Sequence, residues 1–366
     1  MKIIVFDKFI GYRVGGAQNS LQLLLKNLKG DFKFLGCNTK KAFSAEKFKL
    51  SEWNVERVEI KEFPRFPYFE YLYNRKRIKK FIASQEADLL LAQGLWGAIA
   101  INAFSGKSIY FIRDSYHFNR VPVYERGLRK ILKKIYIFIQ SPFLRLIFSD
   151  NTKAIKKADI VMANSGEMEK RLEEFFKRDA DFIYPLIDVK SLINKKILSA
   201  QDRNFFVCMA SDPWKGRKIV EDIAKQMPDK KFMIVGREFD KPTWKNNILY
   251  HPWLKDTFEI YQQARIVLNT FFDDIIPRTG RVGVEANALG IPCISSRQGK
   301  VYDFLEEKFF IDDIWDINLW KNKIEEVENN YEEYCQNLKE QALKFDAEKQ
   351  IQRFKEIIYN KLNMQL

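Results

Sequence analysis

Short apolar runs bounded by turn residues alternate with stretches of helical spacing along the whole chain. "KIIVF", "FKFLGC", "VERVEI", "ADLLLAQG", "KSIYFIRD" and "ADIVMANS" read as strands, several of them apolar on both faces. "LQLLLKNL", "EYLYNRKRIKKFIAS" and "RGLRKILKKIYIFIQ" space their apolar residues three or four apart, as helices do. Strands separated by helices predict βαβ units and a parallel sheet. The pattern then restarts: "NFFVCMAS" leads into the helix-like "DPWKGRKIVEDIAKQM", and "KKFMIVGRE", "NILYHPWL", "ARIVLNTF" and "IPCISS" supply four more strands. The reading is an α/β chain with two parallel-sheet domains in tandem, at 1–190 and 204–345. A linker at 191–203, inside "DVKSLINKKILSAQDR", joins them. An amphipathic terminal helix at 346–366 is expected to pack back toward the first domain.

Length fits this division, since 366 residues exceed what one core usually organises. A hydrophobic content of 46% with 30% charged residues belongs to a folded globular chain and excludes a disordered one. The longest apolar stretch, "IYIFIQSPFLRLIF", is interrupted by Gln140, Pro142 and Arg145, so no spanning helix is expected. "MKIIVFDKF" is too short and too charged for a signal peptide. Four cysteines without paired spacing suit reduced thiols and a cytoplasmic location. Charge changes the picture more. Residues 1–190 hold 35 lysines and arginines against 21 acids, and residues 191–366 hold 27 of each, so the first domain carries the whole net charge of +14. That suits an anionic partner, whether nucleic acid, membrane surface or phosphorylated substrate, and it equally suits a solubilising surface.

In open parallel sheets ligands bind at the carboxyl ends of strands, so the loops there hold the candidate chemistry. "GYRVGGAQNS" follows the first strand. Gly15 and Gly16 let backbone approach a ligand at a helix start, although two glycines can equally make a tight turn. The loop is not G-x-G-x-x-G, which weakens a nicotinamide-dinucleotide reading. In "SDPWKGRKI", Lys215 and Arg217 flank Gly216 where a helix begins. Cations there oppose the helix dipole, so a bound phosphate explains them better than a solvated turn. "RTGRVGVEANALGIP" (residues 278–292) predicts a helix opened near Thr279 or Gly280 and closed by Gly290, with Pro292 beyond. Glu285 falls one turn after Arg281. The pair is worth about 0.2–0.5 kcal/mol if exposed, yet a carboxylate beside a phosphate site also suits sugar hydroxyls.

These stretches together resemble a retaining glycosyltransferase of family 4, of the bacterial surface-polysaccharide type. "GRVGVEANALGIPCISS" is similar to the second half of the family's E-x7-E element. "ARIVLNT", "KKFMIVG", "KKADIVMANSGEMEKRL" and "VGGAQ" resemble its other landmarks, in the same order. The resemblance implies the GT-B fold, with two Rossmann-like domains facing each other across a cleft. It implies a hexosyltransferase using a nucleotide-diphosphate sugar, with no metal and no cofactor. By that resemblance Glu285 binds ribose hydroxyls, Lys215 with Arg217 neutralises the diphosphate, and the backbone of Gly280, Arg281 and Val282 holds it. Gly15, Gly16 and Gln18 lie toward donor or acceptor. The acceptor is a glycan or a lipid-linked glycan met by the basic first domain, in cell-surface polysaccharide synthesis, with the enzyme peripheral at the inner face of the membrane.

The chain departs from the family pattern in three places. Pro277 stands where the first carboxylate is expected, and Asp273 or Asp274 lies nearby to contact the sugar instead. Ala210 stands where an arginine often precedes the lysine. The first domain's His-Asp pair reads Arg113-Asp114, with His117 three residues on as a further candidate for the substrate. The "DAD" triplet Asp179–Asp181 matches a metal motif in letters only, and His251 has no companion ligands. Two alternatives stay open on sequence grounds: a nucleotide-sugar epimerase of the same architecture and a basic nucleic-acid-binding α/β protein.

Overall fold

The structure is a computed structural model. It describes every residue except 12–15, 39–52, 64–65, 113–126, 210–215, 255, 272–279 and 298–300, and leaves out the side chains of residues 127, 129, 130 and 133. The described chain forms two compact units, each built on a seven-stranded sheet.

The first unit opens with β1 (Lys2–Phe6), α1 (Gly16–Lys26), β2 (Asp31–Asn38), β3 (Val55–Glu59) and α2 (Pro67–Ala83). β4 (Leu89–Gln93), α3 (Gly94–Ala103), β5 (Lys107–Phe111), α4 (Gly127–Lys157), β6 (Ile160–Ala163), α5 (Gly166–Phe176) and β7 (Asp181–Phe182) follow. All its strands pair in parallel, in the order β3-β2-β1-β4-β5-β6-β7. Chain order reverses between β1 and β4, which creates a crevice at their carboxyl ends. β4 and β6 are buried on both faces, as their unbroken apolar runs require. Ser165 caps α5 by accepting from the Met168 amide at 3.2 Å. α3 escaped the reading from periodicity because it is apolar all round: Trp96, Ala98, Ile99, Ala100 and Ile101 are all buried, so no amphipathic stripe marks it.

The second unit begins earlier than expected. Residues 191–203 are not a free linker. α6 (Val189–Ile193) is capped by Asp188 accepting from the Ser191 amide at 3.0 Å, and the Lys190 amide donates to Asp346 at 3.1 Å. A 3-10 turn at Ala200–Asp202 follows, and Arg203 is buried. The division falls after Leu186, because caps and burial tie this polar stretch into the second unit. β8 (Phe205–Cys208), α7 (Arg217–Gln226), β9 (Lys231–Gly236), β10 (Thr243–Lys245), β11 (Ile248–Pro252), α8 (Phe258–Tyr261) and β12 (Ala264–Asn269) come next. They are followed by α9 (Arg281–Ala288), β13 (Cys293–Ser296), β14 (Phe310–Ile311), α10 (Ile317–Asn329), α11 (Tyr331–Cys335) and α12 (Leu338–Leu343). The sheet order is β10-β11-β9-β8-β12-β13-β14, parallel except for the exposed antiparallel edge strand β10.

The terminal helix α13 (Ala347–Leu362) belongs to the first unit. Ile351, Phe354, Ile358 and Leu362 recur three or four apart and join the core formed with Ile109 and Phe111 of β5. Phe354 stacks on Phe111 at 5.7 Å, and Lys361 bonds Asp181 at 2.6 Å. Asp181, the last residue of the "DAD" triplet, therefore has a structural partner. Among the described residues no helix is long and apolar enough to cross a membrane.

Cys37, Cys208 and Cys293 are buried, and burial pushes the Cys37 thiol up to about 12. Cys335 alone is partly exposed, although burial raises its pKa too. A thiol-reactive dye is therefore expected to modify Cys335 first in native protein. All four should react at once in denaturant, and rapid native labelling of the other three would contradict this core.

Candidate functional site

In the second unit β8 is flanked by β9 on one side and β12 on the other, so the chain order reverses between β8 and β12. α7 follows β8 and α9 follows β12, so both helices begin at the same carboxyl edge, over this crossover. Among the described residues neither helix start has a side-chain cap, and neither first turn holds an acid. Each start therefore presents the positive end of a helix dipole at this edge with no carboxylate of its own first turn against it, an arrangement suited to anions.

Two glycines make this geometry. Gly216, the N-cap of α7, has φ of +80°, a left-handed backbone. A Cβ there would stand 2.0 Å from the Thr270 carbonyl oxygen, so the glycine lets α7 start directly against the end of β12. Gly280, the N-cap of α9, is buried, and a Cβ on it would stand 2.4 Å from the Phe304 Cβ. Behind these starts the sheet edge is fixed by polar contacts. Asn269 Nδ2 donates to Ser295 Oγ at 3.0 Å, and the Ser296 hydroxyl donates to the Phe271 carbonyl.

Glu285 lies one turn into α9 with its side chain only 12% exposed. Arg281 Nε meets Oε1 at 2.7 Å, so the pair allowed by spacing is formed, but half-buried rather than on an open surface. The Tyr261 hydroxyl donates to Oε2 at 3.0 Å. Burial, with the neighbouring carboxylate, holds the Tyr261 pKa well above the usual tyrosine value, so the hydroxyl stays a donor. The carboxylate is thereby oriented by one bond on each oxygen. With about four acceptor positions, it retains capacity for a ligand's hydroxyls.

Tyr261 is a residue that sequence reasoning missed. It stands 24 positions before Glu285, at the end of a four-residue helix, and no local spacing links the two. Tyr261→Phe is expected to loosen the carboxylate without emptying it. A ligand contacting Glu285 should bind about 3- to 10-fold more weakly, less than a whole hydrogen bond to a charged group is worth, because the carboxylate itself stays in place. Titration calorimetry with a nucleoside diphosphate would measure this, and unchanged affinity would remove Tyr261 from the site.

Arg217 is differently placed from a free phosphate clamp. Its Nε bonds Glu221 Oε1 at 2.9 Å and its Nη1 meets Glu238 Oε1 at 3.3 Å. Its guanidinium lies 5.2 Å from the Phe239 ring centroid and 5.1 Å from that of Tyr250. Two carboxylates and two rings hold it at the head of α7. Val282 is half-buried in the first turn of α9. In the first unit Gly16 begins α1 at the carboxyl edge of β1, with Gln18 half-buried two residues on. Asp7 and Gln93 pair at 2.7 Å beside that crevice, buried. Gly15, Arg113, Asp114, His117, Lys215 and Asp274 lie outside the described residues, as do Ala210, Asp273 and Pro277. His251, given no ligand role, contacts the Pro252 carbonyl oxygen through Nδ1 at 2.7 Å.

Residues 212–354, which hold this site, match the model of a family described as glycosyl transferase-like. No curated protein matches the chain. Among solved structures it is similar to Anabaena Alr3699/HepE in complex with UDP-glucose, at 19% identity and a TM-score of 0.70, covering 98% of this chain and 100% of that one. It is also similar to sucrose-phosphate synthase from Thermosynechococcus elongatus, at 14% identity and a TM-score of 0.69, covering 99% of each chain. The lipopolysaccharide outer core galactosyltransferase WaaB matches at 13% identity and a TM-score of 0.63, over 99% of this chain and 100% of that one. At these identities the likeness shows the fold, that of GT-B glycosyltransferases: two α/β domains on parallel sheets.

Proposed function

We propose that the protein is a glycosyltransferase that moves a sugar from a nucleotide-diphosphate donor to a glycan or lipid-linked acceptor. The observation that carries this reading is the pair of uncapped helix starts at one sheet crossover, with the oriented Glu285 carboxylate a single turn away. Two positive dipole ends suit a diphosphate, and a fixed carboxylate suits vicinal hydroxyls such as those of ribose. The family match over residues 212–354 and the similarity to Alr3699/HepE, solved in complex with UDP-glucose, support the same chemistry.

On this reading the bond from the anomeric carbon to the diphosphate oxygen breaks as the acceptor hydroxyl attacks. Negative charge then grows on the departing phosphate, where the helix amides and Lys215 stabilise it. Attack from the face of the leaving group retains configuration, and the phosphate oxygen takes the acceptor proton. Neutralisation by protein groups is the reason no metal enters the reading. Synthesis of surface polysaccharide, at the inner face of the membrane, is the setting we propose for it.

Thermal shift against a panel of nucleoside diphosphates and nucleotide-sugars tests the donor. At least one nucleoside diphosphate is expected to raise the Tm, less so in Lys215→Ala. No response across the panel would overturn the reading. Incubating the donor without acceptor separates the epimerase alternative, because an isomerised nucleotide-sugar would then accumulate.

A further inference from the structure

α4 carries two apolar faces, and the first unit uses only one of them. Leu144 and Ile147 are buried, Ala154 and Ile155 follow on the same side, and the last three join the core against α2 and α3. On the other side Leu128, Ile131, Leu132, Ile135, Phe138 and Ile139 are exposed, with Leu128 at 71% and Phe138 at 79%. They recur three or four apart, and Leu146 continues the same stripe. Large apolar side chains ranked on one helix face are not the scattered exposure that ordinary surfaces show.

A second feature extends the face. At the start of α2, Phe66 and Tyr73 are half exposed, and the Phe63 ring meets Phe69 at 4.9 Å and Tyr73 at 5.3 Å. Phe69 in turn meets Phe143 of α4 at 6.0 Å, joining the aromatic cluster to the helix that bears the stripe. Lys61 lies over this cluster, 5.5 Å from the Phe63 and Tyr73 centroids.

Charge selects the occupant. Between residues 127 and 149 the chain has five basic residues, Arg129, Lys130, Lys133, Lys134 and Arg145, and no acidic one. Two copies pressed together along this face would bring like charges into contact. An anionic bilayer supplies both the apolar depth and the opposite charge. The helix is too polar to span, and Tyr73 with Phe66 offers the aromatic character favoured at headgroup level.

We propose that the exposed stripe of α4, with the aromatic start of α2, is a membrane-docking face that lies in the plane of an anionic lipid surface. It inserts Leu128, Ile131, Ile135, Phe138 and Ile139 among the acyl chains while the exposed Lys134 and Arg145 meet the headgroups. This inference rests on the membrane setting given under the proposed function and deepens it, while donor binding, read separately by the nucleoside-diphosphate response, holds or fails apart from it.

The test is flotation of the full chain with vesicles of phosphatidylcholine alone and of phosphatidylcholine mixed with phosphatidylglycerol. The protein is expected on the mixed vesicles and far less on the neutral ones. The double variant Phe138→Asp, Ile139→Asp, with both positions exposed in the native fold, should lower partitioning by about tenfold or more. Its melting temperature and response to nucleoside diphosphate should stay as in the parent. Absence of binding to either vesicle, or binding that survives the double variant, overturns the proposal. So does a dimer in light scattering that the double variant dissociates, since the face would then belong to a second copy.

Discussion

Glu285→Ala is expected to lower kcat/KM for the nucleotide-sugar by roughly 10²- to 10³-fold. One or two hydrogen bonds from ligand hydroxyls to a carboxylate are lost, each worth about 1.5–3 kcal/mol. On the proposed reading the loss should fall mainly on donor binding, since the hydroxyls assigned to this carboxylate belong to a part of the donor that does not react. The same substitution strips the buried Tyr261 hydroxyl of its acceptor, at a cost of about 1–3 kcal/mol in stability. Glu285→Gln separates the two effects. It keeps an oxygen for Tyr261 and the side-chain volume, so stability should recover while donor affinity stays depressed. Initial rates and urea melts on the same preparations make the comparison. Wild-type kcat/KM in Glu285→Ala would end the donor-site assignment.

The second large effect is expected at Gly216, where no carboxylate or cation is involved. Gly216→Ala meets two penalties. A left-handed backbone costs a residue with a Cβ about 1–2 kcal/mol, and crowding a packed site costs about 1–3 kcal/mol more. The clashing partner is a backbone carbonyl, Thr270 O at 2.0 Å, which cannot swing aside as a flexible side chain would. Stability should therefore fall by about 2–5 kcal/mol in urea denaturation. Where the protein still folds, the start of α7 must move off the end of β12, and the nucleoside-diphosphate Tm response should vanish with it. A variant as stable and as responsive as the parent would show that α7 and β12 do not meet in this way.

Much of the fold was legible because each element states its burial locally. The doubly buried strands β4, β5 and β6 read as unbroken apolar runs, and the spacing of Ile351, Phe354 and Ile358 announced α13 before its partners were known. The elements that escaped had weak local signals for identifiable reasons. α3 is apolar on every side, β7 and β14 are two residues long, and β10 is an exposed edge. The supposed linker was misjudged because polar composition resembles a tether. The cap from Asp188 and the bond from Lys190 to Asp346, 156 residues away, were invisible from composition.

At the candidate site the division is sharper. Residue type and short-range order alone marked Glu285 with Arg281 and the glycines Gly216 and Gly280 near helix starts as candidates, and the carboxyl ends of the strands as the place to look. A helix start, a glycine cap and a pair four residues apart all depend on neighbours in the chain. Tertiary structure decided everything that depends on distant residues. It brought Tyr261 onto Glu285, set Thr270 against Gly216 and Phe304 against Gly280, and gave Arg217 to Glu221, Glu238 and two rings. It also decided which of α4's two apolar faces is buried. Local spacing specifies that a helix has an apolar side, whereas only packing determines whether that side finds a partner within its own domain.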